Sequence, residues 1–218
     1  MGWMKPKACR KHCDGRERMA GKEERRGRIV RSIAGGILIG IGGTAYLSVD
    51  GRALGAFLFA TGLYAILATG QLLLTGRAAY TSSLRELTVV LAGNACGAAL
   101  MGCLAGPEAQ ARAALMGQAK LGLGAGRLAS AGILCNLLIY MAVEGYRKGQ
   151  PLLTVMCVMA FILCGFEHSI ANIFYFTAGR CVTLRAAWFL ATNITANVLC
   201  GQAVLLARAY LQKTWSPQ

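Results

Sequence analysis

Six runs of apolar residues, each close to the length that crosses a bilayer, constrain this chain more than any other feature. They fall at 32–49, 53–74, 87–105, 128–143, 152–178 and 186–207. A spanning helix needs about 20 predominantly apolar residues. In lipid every backbone polar group has to find its partner inside the structure, so runs of this kind fold as helices. The expectation is an all-α integral membrane protein with six transmembrane helices in one domain at 32–212. Polar ends at 1–31 and 213–218 flank it, the first expected to be poorly ordered. Of the 218 residues 56% are hydrophobic, only 15% are charged, and 28 are glycine. Small residues at this level suit helices whose backbones approach closely in lipid.

A net charge of +14 raises the question of nucleic acid, and the distribution of the charge answers it. Eleven of the 23 Lys and Arg precede Ser32, against four acidic residues. A short basic segment beside the first span is what the cytoplasmic side of a membrane protein carries. With the N-terminus inside, 17 basic residues fall on the inner side and six on the outer. Both termini are therefore expected in the cytoplasm, with the lipid bilayer as a partner and no nucleic acid. Of the nine cysteines, Cys96, Cys103, Cys135, Cys157, Cys164 and Cys200 lie in apolar runs, where free Cys behaves as a small hydrophobe. Cys9, His12 and Cys13 resemble a fragment of a metal site, but no fourth ligand follows at a usual spacing. Neither metal nor cofactor is expected.

The fifth run carries the anomaly. Gly165-Phe166-Glu167-His168-Ser169-Ile170-Ala171-Asn172 puts a carboxylate and an imidazole within apolar sequence. Such groups are costly at membrane depth unless they face protein or a water-filled cavity, so they read first as functional. Gly165 weakens the helix at that point. A broken helix is tolerated there only where its freed backbone is buried by protein or lines a cavity. Were the helix continuous, Phe161, His168 and Asn172 would share one face. Polar residues recur in the other runs: Thr75-Gly76 after Leu72-Leu73-Leu74, Asn94 between glycines, Asn136, and Asn193 with Asn197. Phe59 and Leu63 share one helical face. Lys120 precedes Asn136 by 16 residues, about 24 Å of helix, which puts it near one mouth of the membrane.

The halves echo one another. Gly36-Ile37-Leu38 answers Gly132-Ile133-Leu134, Phe59 answers Phe161, and Asn94 answers Asn197. Three helices per half orient the copies oppositely, the inverted 3+3 plan of many solute pathways. Runs two and five are the expected interrupted pair.

These residues resemble the formate/nitrite transporter family of bacterial anion channels. The eight-residue stretch at 165–172 is similar to that family's signature. Phe59 with Gly62-Leu63, Leu73 with Thr75, Gly93-Asn94, Lys120, Gly132 to Asn136 and Phe161 extend the likeness from the first helix to the last. The resemblance implies an aquaporin-like protomer, a homopentamer with one pore per protomer, and a place in the bacterial inner membrane. It implies one hydrophobic constriction of Phe59, Leu63 and Leu73, and another to which Phe161 contributes. His168 would point into the pore opposite Thr75, with Lys120 lending positive potential nearby. Glu167, Asn136 and Asn172 would orient these groups. Leu74 departs from the family pattern, which often has an aromatic there, and Cys200 stands where a glycine would complete the motif.

A bare anion partitions badly into a constriction of Phe and Leu, because desolvating a full charge costs several kcal/mol or more. The expected function is passage of a small weak-acid anion such as formate, nitrite or hydrosulfide. Lys120 would attract the anion, and His168 or water would neutralise it. A neutral-solute channel of the water or ammonia kind is the alternative. An enzyme using Glu167 and His168 as acid and base is disfavoured, since adjacent helical residues point about 100° apart.

Overall fold

Backbone satisfaction in lipid dictates helices, and helices are what form. The structure, a computed structural model, describes residues 7–214, with side chains from residue 23 to residue 214. Cys9, His12 and Cys13 lie outside the described side chains. Among the described residues there are nine helices and no strand. Four are long and apolar enough to cross a bilayer: α1 (Lys7–Leu47) over its Glu23–Leu47 part, α4 (Leu84–Leu104), α6 (Ala125–Arg147) and α9 (Leu184–Thr214). α1 runs without a proline from Lys7 to Leu47, across residue 31.

Runs two and five are each split in two. The second becomes α2 (Arg52–Ala68) and a short α3 (Leu74–Arg77). The fifth becomes α7 (Pro151–Leu163) and α8 (Ser169–Ala178). A continuous face through Phe161, His168 and Asn172 therefore does not form. The break in run two also comes earlier than Thr75-Gly76, which belongs to α3. Between α4 and α6, α5 (Pro107–Leu121) packs on α8.

Local chemistry sets these boundaries. Pro107 and Pro151 sit in the first turns of α5 and α7, where a missing N–H costs nothing. Ser83 caps α4 by accepting from the Glu86 N–H at 3.3 Å. The two breaks open identically. Gly70 and Gly165 hold φ of +67° and +70°, a region that glycine enters without steric cost. Each is followed by a 6→1 bond, Gln71 N–H to the Ile66 carbonyl and Phe166 N–H to the Phe161 carbonyl, both 2.9 Å. That is the glycine-terminated helix end in which orphan carbonyls are satisfied.

Glycine also brings α1 against α4. A Cβ on Gly36 would lie 2.1 Å from the Asn94 carbonyl oxygen, and one on Gly97 would lie 2.1 Å from that of Ile33. Any larger residue at either position drives the two backbones apart, as expected of small-residue packing in lipid.

Candidate functional site

The two breaks free backbone groups in the middle of the protein, and one buried asparagine serves each. Asn94 Oδ1 accepts from the Leu74 N–H at 2.8 Å, while its Nδ2 donates to the carbonyls of Ser32 at 2.6 Å and Leu72 at 2.8 Å. Asn197 Oδ1 accepts from the Ser169 N–H at 3.0 Å, while its Nδ2 donates to the carbonyls of Gly132 at 2.7 Å and Glu167 at 3.2 Å. Neighbouring helices close the pattern: the Leu72 N–H reaches the Arg31 carbonyl and the Glu167 N–H that of Ala131, both 3.2 Å. By these bonds Asn94 and Asn197 hold matching places, one at each break. Ser32, however, answers Gly132, and Ile66 answers Phe161. The sequence match of Gly36 to Gly132 is thus out by one helical turn, and that of Phe59 to Phe161 by about two.

Asn94→Ala would strand the Leu74 N–H and the Leu72 carbonyl at the break and also remove the bond to the Ser32 carbonyl, which α1 itself still satisfies. Each orphan costs about 1–3 kcal/mol. We expect this variant, and Asn197→Ala likewise, to lower the thermal unfolding midpoint of detergent-solubilised protein by several degrees, with Asn94→Asp recovering only the bond from Leu74.

The breaks bring Thr75 and His168 together. Their Oγ1 and Nε2 atoms are 3.0 Å apart, and both residues are fully buried or nearly so. His168 is also the N-cap of α8, its Nδ1 accepting from the Ala171 N–H at 3.2 Å. An Nδ1 that accepts carries no proton, so the neutral ring holds its proton on Nε2 and donates to Thr75 Oγ1. Asn136 satisfies its amide by donating from nitrogen to the Thr75 carbonyl at 3.2 Å and accepting on oxygen from the Gly201 N–H at 3.3 Å. The Phe161 ring stacks on His168 at 5.9 Å between centroids, and Phe59 meets Phe161 edge-on at 5.8 Å. Phe59 thus sits with Phe161 and not in one ring with Leu63 and Leu73. Phe59 and Leu63 are a turn apart on α2, about 6 Å along its axis, and so lie at different depths.

The carboxylate beside the imidazole is paired. Lys120 Nζ lies 2.5 Å from Glu167 Oε2, which also accepts from Asn172 Nδ2 at 2.8 Å. Asn172 Nδ2 donates to Asn193 Oδ1 at 2.8 Å as well, and Asn193 Nδ2 donates to the Glu167 carbonyl at 2.8 Å. The same ammonium stands 5.9 Å from the centre of the Tyr175 ring. A buried ion pair braced by a further hydrogen bond on the same carboxylate oxygen is an arrangement that offsets part of the desolvation cost.

Two cavities of about 160 Å³ each approach this neck. The upper one, on the side where α1 ends and α2 begins, is lined by Phe59, Phe161, His168, Lys120, Tyr175 and Arg52. The lower one is lined by Leu63, Leu73, Val143, Arg31, Arg147 and Tyr80. Thr75, which lines neither cavity, lies fully buried, and Leu63 and Leu73 are buried in the wall of the lower one. Near the lower mouth the Tyr80 hydroxyl donates to Glu144, and the guanidinium carbons of Arg147 and Arg208 lie 4.4 and 4.5 Å from its ring centre. Burial first, then the neighbouring Glu144 carboxylate, pushes the Tyr80 phenol up to about 12.

All twelve residues singled out in the sequence sit in or against this neck and its two supporting asparagine brackets. Arg52, Tyr175, Val143, Tyr80 and Arg147 were not among them. A cation at a helix start, or an aromatic in an apolar run, gives no sign of facing a cavity. Asn193 carried a signal, being polar at membrane depth.

The sequence model described as formate/nitrite transporter matches residues 14–209. Comparison with curated proteins gives no match. Among solved structures, a "pentameric formate channel with formate bound" superposes with a TM-score of 0.75 at 21% identity, covering 88% of this chain and 98% of that one. An "FNT family ion channel" superposes at 0.74 and 23% identity, covering 87% and 92%. At these identities the likeness is one of fold.

Proposed function

Because the chain belongs to the formate/nitrite transporter family, a multi-pass membrane protein, we propose that it conducts small monovalent anions of weak acids. Formate, nitrite and hydrosulfide are the class, and the passage runs through the neck between the two cavities. We place both termini in the cytoplasm of a bacterial inner membrane, the upper cavity outside, and the protomer in a homopentamer with one pore each. Six crossings with the two split runs as the interrupted spans make the inverted 3+3 plan the natural reading of the matched breaks.

The observation that carries this proposal is a single imidazole held between two vestibules, one nitrogen tied to the α8 backbone and the other offering its proton toward Thr75. The Nε2–H and the Thr75 hydroxyl give an anion two hydrogen bonds where it loses water. Protonating the ring would place a second N–H against that of Ala171 and abolish the cap. His168 therefore serves as a hydrogen-bond donor, and the proton that neutralises the anion comes from water. Phe59 with Phe161 closes the upper side of the neck and Leu63 with Leu73 the lower. Lys120, paired with Glu167, acts as a local dipole more than as a free charge.

Uptake into proteoliposomes across formate, nitrite, hydrosulfide, acetate and lactate, with and without an inward proton gradient, tests this. Flux of the smaller anions that rises with the gradient is expected. Passage of water or ammonia without any anion flux would establish the neutral-solute channel in its place.

A further inference from the structure

If Lys120 is matched by Glu167, the upper vestibule needs another source of positive charge. Three cations stand around it and the adjoining mouth. Lys120 is ion-paired at 2.5 Å, and Arg112 lies 2.8 Å from Asp50 and also holds the Val49 carbonyl at 2.9 Å. Arg52 is the third. Among the described residues it has no carboxylate within ion-pair distance, and its one hydrogen bond runs from Nη2 to the Leu163 carbonyl at 3.1 Å. A third cavity of about 230 Å³, lined by Asp50 and Arg112, adjoins the vestibule, and Arg52, Tyr46 and Met116 line both. Arg52 thus stands at the junction through which an ion passes from the open mouth to the imidazole.

We propose that Arg52 is the docking residue of the upper mouth and that its ligand is a small planar oxyanion, a carboxylate or nitrite. The inference rests on the anion-channel reading above and names the preferred class within it. A guanidinium has five N–H donors in a fixed fork. One is spent on the end of α7, where a cation also favours the helix C-terminus. The others face a cavity wide enough for a three- or four-atom anion. Two oxygens in one plane match that fork, and a single-centre anion such as hydrosulfide does not. Because Arg52 is exposed, its field beyond about 8 Å is screened at physiological ionic strength, so it acts on an anion already in the mouth. Lys120 and Glu167 then present a paired dipole deeper in, next to His168.

The test measures concentration dependence separately from the two faces, in right-side-out and inverted membrane vesicles. Arg52→Gln keeps a donor for the Leu163 carbonyl and removes the charge. The half-saturating formate concentration is expected to rise about tenfold from one face only, the size of one charge-assisted hydrogen bond. Saturating flux should stay within about twofold. Arg52→Lys should keep most of the attraction and lose most of the preference for formate over hydrosulfide. A half-saturation unchanged in Arg52→Gln, or raised equally from both faces, overturns the proposal while leaving the anion channel standing. A loss of saturating flux alone would make Arg52 a strut between α2 and α7 and overturn it likewise. Absence of anion flux in the unaltered protein would remove both readings.

Discussion

His168→Asn is expected to leave the protein folded and nearly closed to anions. Asparagine is as good an N-cap as any residue, so α8 keeps a side-chain acceptor for its first turn and stability changes by a few tenths of a kcal/mol. What disappears is the reach to Thr75, now bridged by the 3.0 Å contact of Nε2 with Oγ1. A hydrogen bond to a charged group is worth about 1.5–3 kcal/mol. Its loss in the neck should cut flux by roughly ten- to a hundredfold. His168→Ala loses the cap as well, about 1 kcal/mol, and so confounds two roles that the asparagine separates. Thr75→Val is the companion, keeping volume and leaving Nε2–H without its acceptor. Formate uptake and the thermal midpoint, measured on the same preparations, decide the matter. Unchanged uptake in His168→Asn would mean that the ring only caps its helix.

The second large effect is expected on stability. Glu167→Gln removes the charge facing Lys120 while keeping an acceptor for Asn172. Breaking a buried pair from one side costs about 3–5 kcal/mol, because the remaining charge is left uncompensated. The Lys120 side chain retains 17% of its exposure, which places the expected loss toward the lower end. Lys120→Met alone should be comparably harmful, stranding a carboxylate that is 4% exposed. Glu167→Gln with Lys120→Met should recover most of the lost midpoint, since no unpaired charge is left. Thermal unfolding of the four proteins of this cycle isolates the coupling. Additive losses would show that the pair does not act as a unit. Formate flux in the double variant then reports what Lys120 contributes apart from Arg52: a value close to the unaltered protein's is expected.

Much of this fold was legible before any coordinates. Helices follow from apolar run length, because lipid offers the backbone no other partner. A glycine at 165 inside such a run announced a break, and Glu167 and His168 beyond it announced a site. Run two was expected to be interrupted as well, but its break opens at Gly70, which had drawn no attention beside Thr69 and Gln71. Thr75-Gly76, polar and further on, drew the eye instead. The halves' correspondence was misjudged for a related reason. Gly36 and Gly132 look alike in letters, yet the bonds to the two breaks leave from Ser32 and Gly132.

What the amino-acid order alone determined was therefore the helical class, which two runs are interrupted, the position of one of the breaks and the residue types gathered there, since each depends on neighbours within a few positions or on the solvent. What only the tertiary structure decided was which polar groups meet. Lys120 finds Glu167 across 47 residues and Thr75 finds His168 across 93. Those meetings turn a lysine read as a free attractor into half of an ion pair, and leave Arg52, among the described residues, as the unmatched cation of the upper mouth. Charge compensation is a property of distances in space, and distances of that kind come into being only when the helices pack.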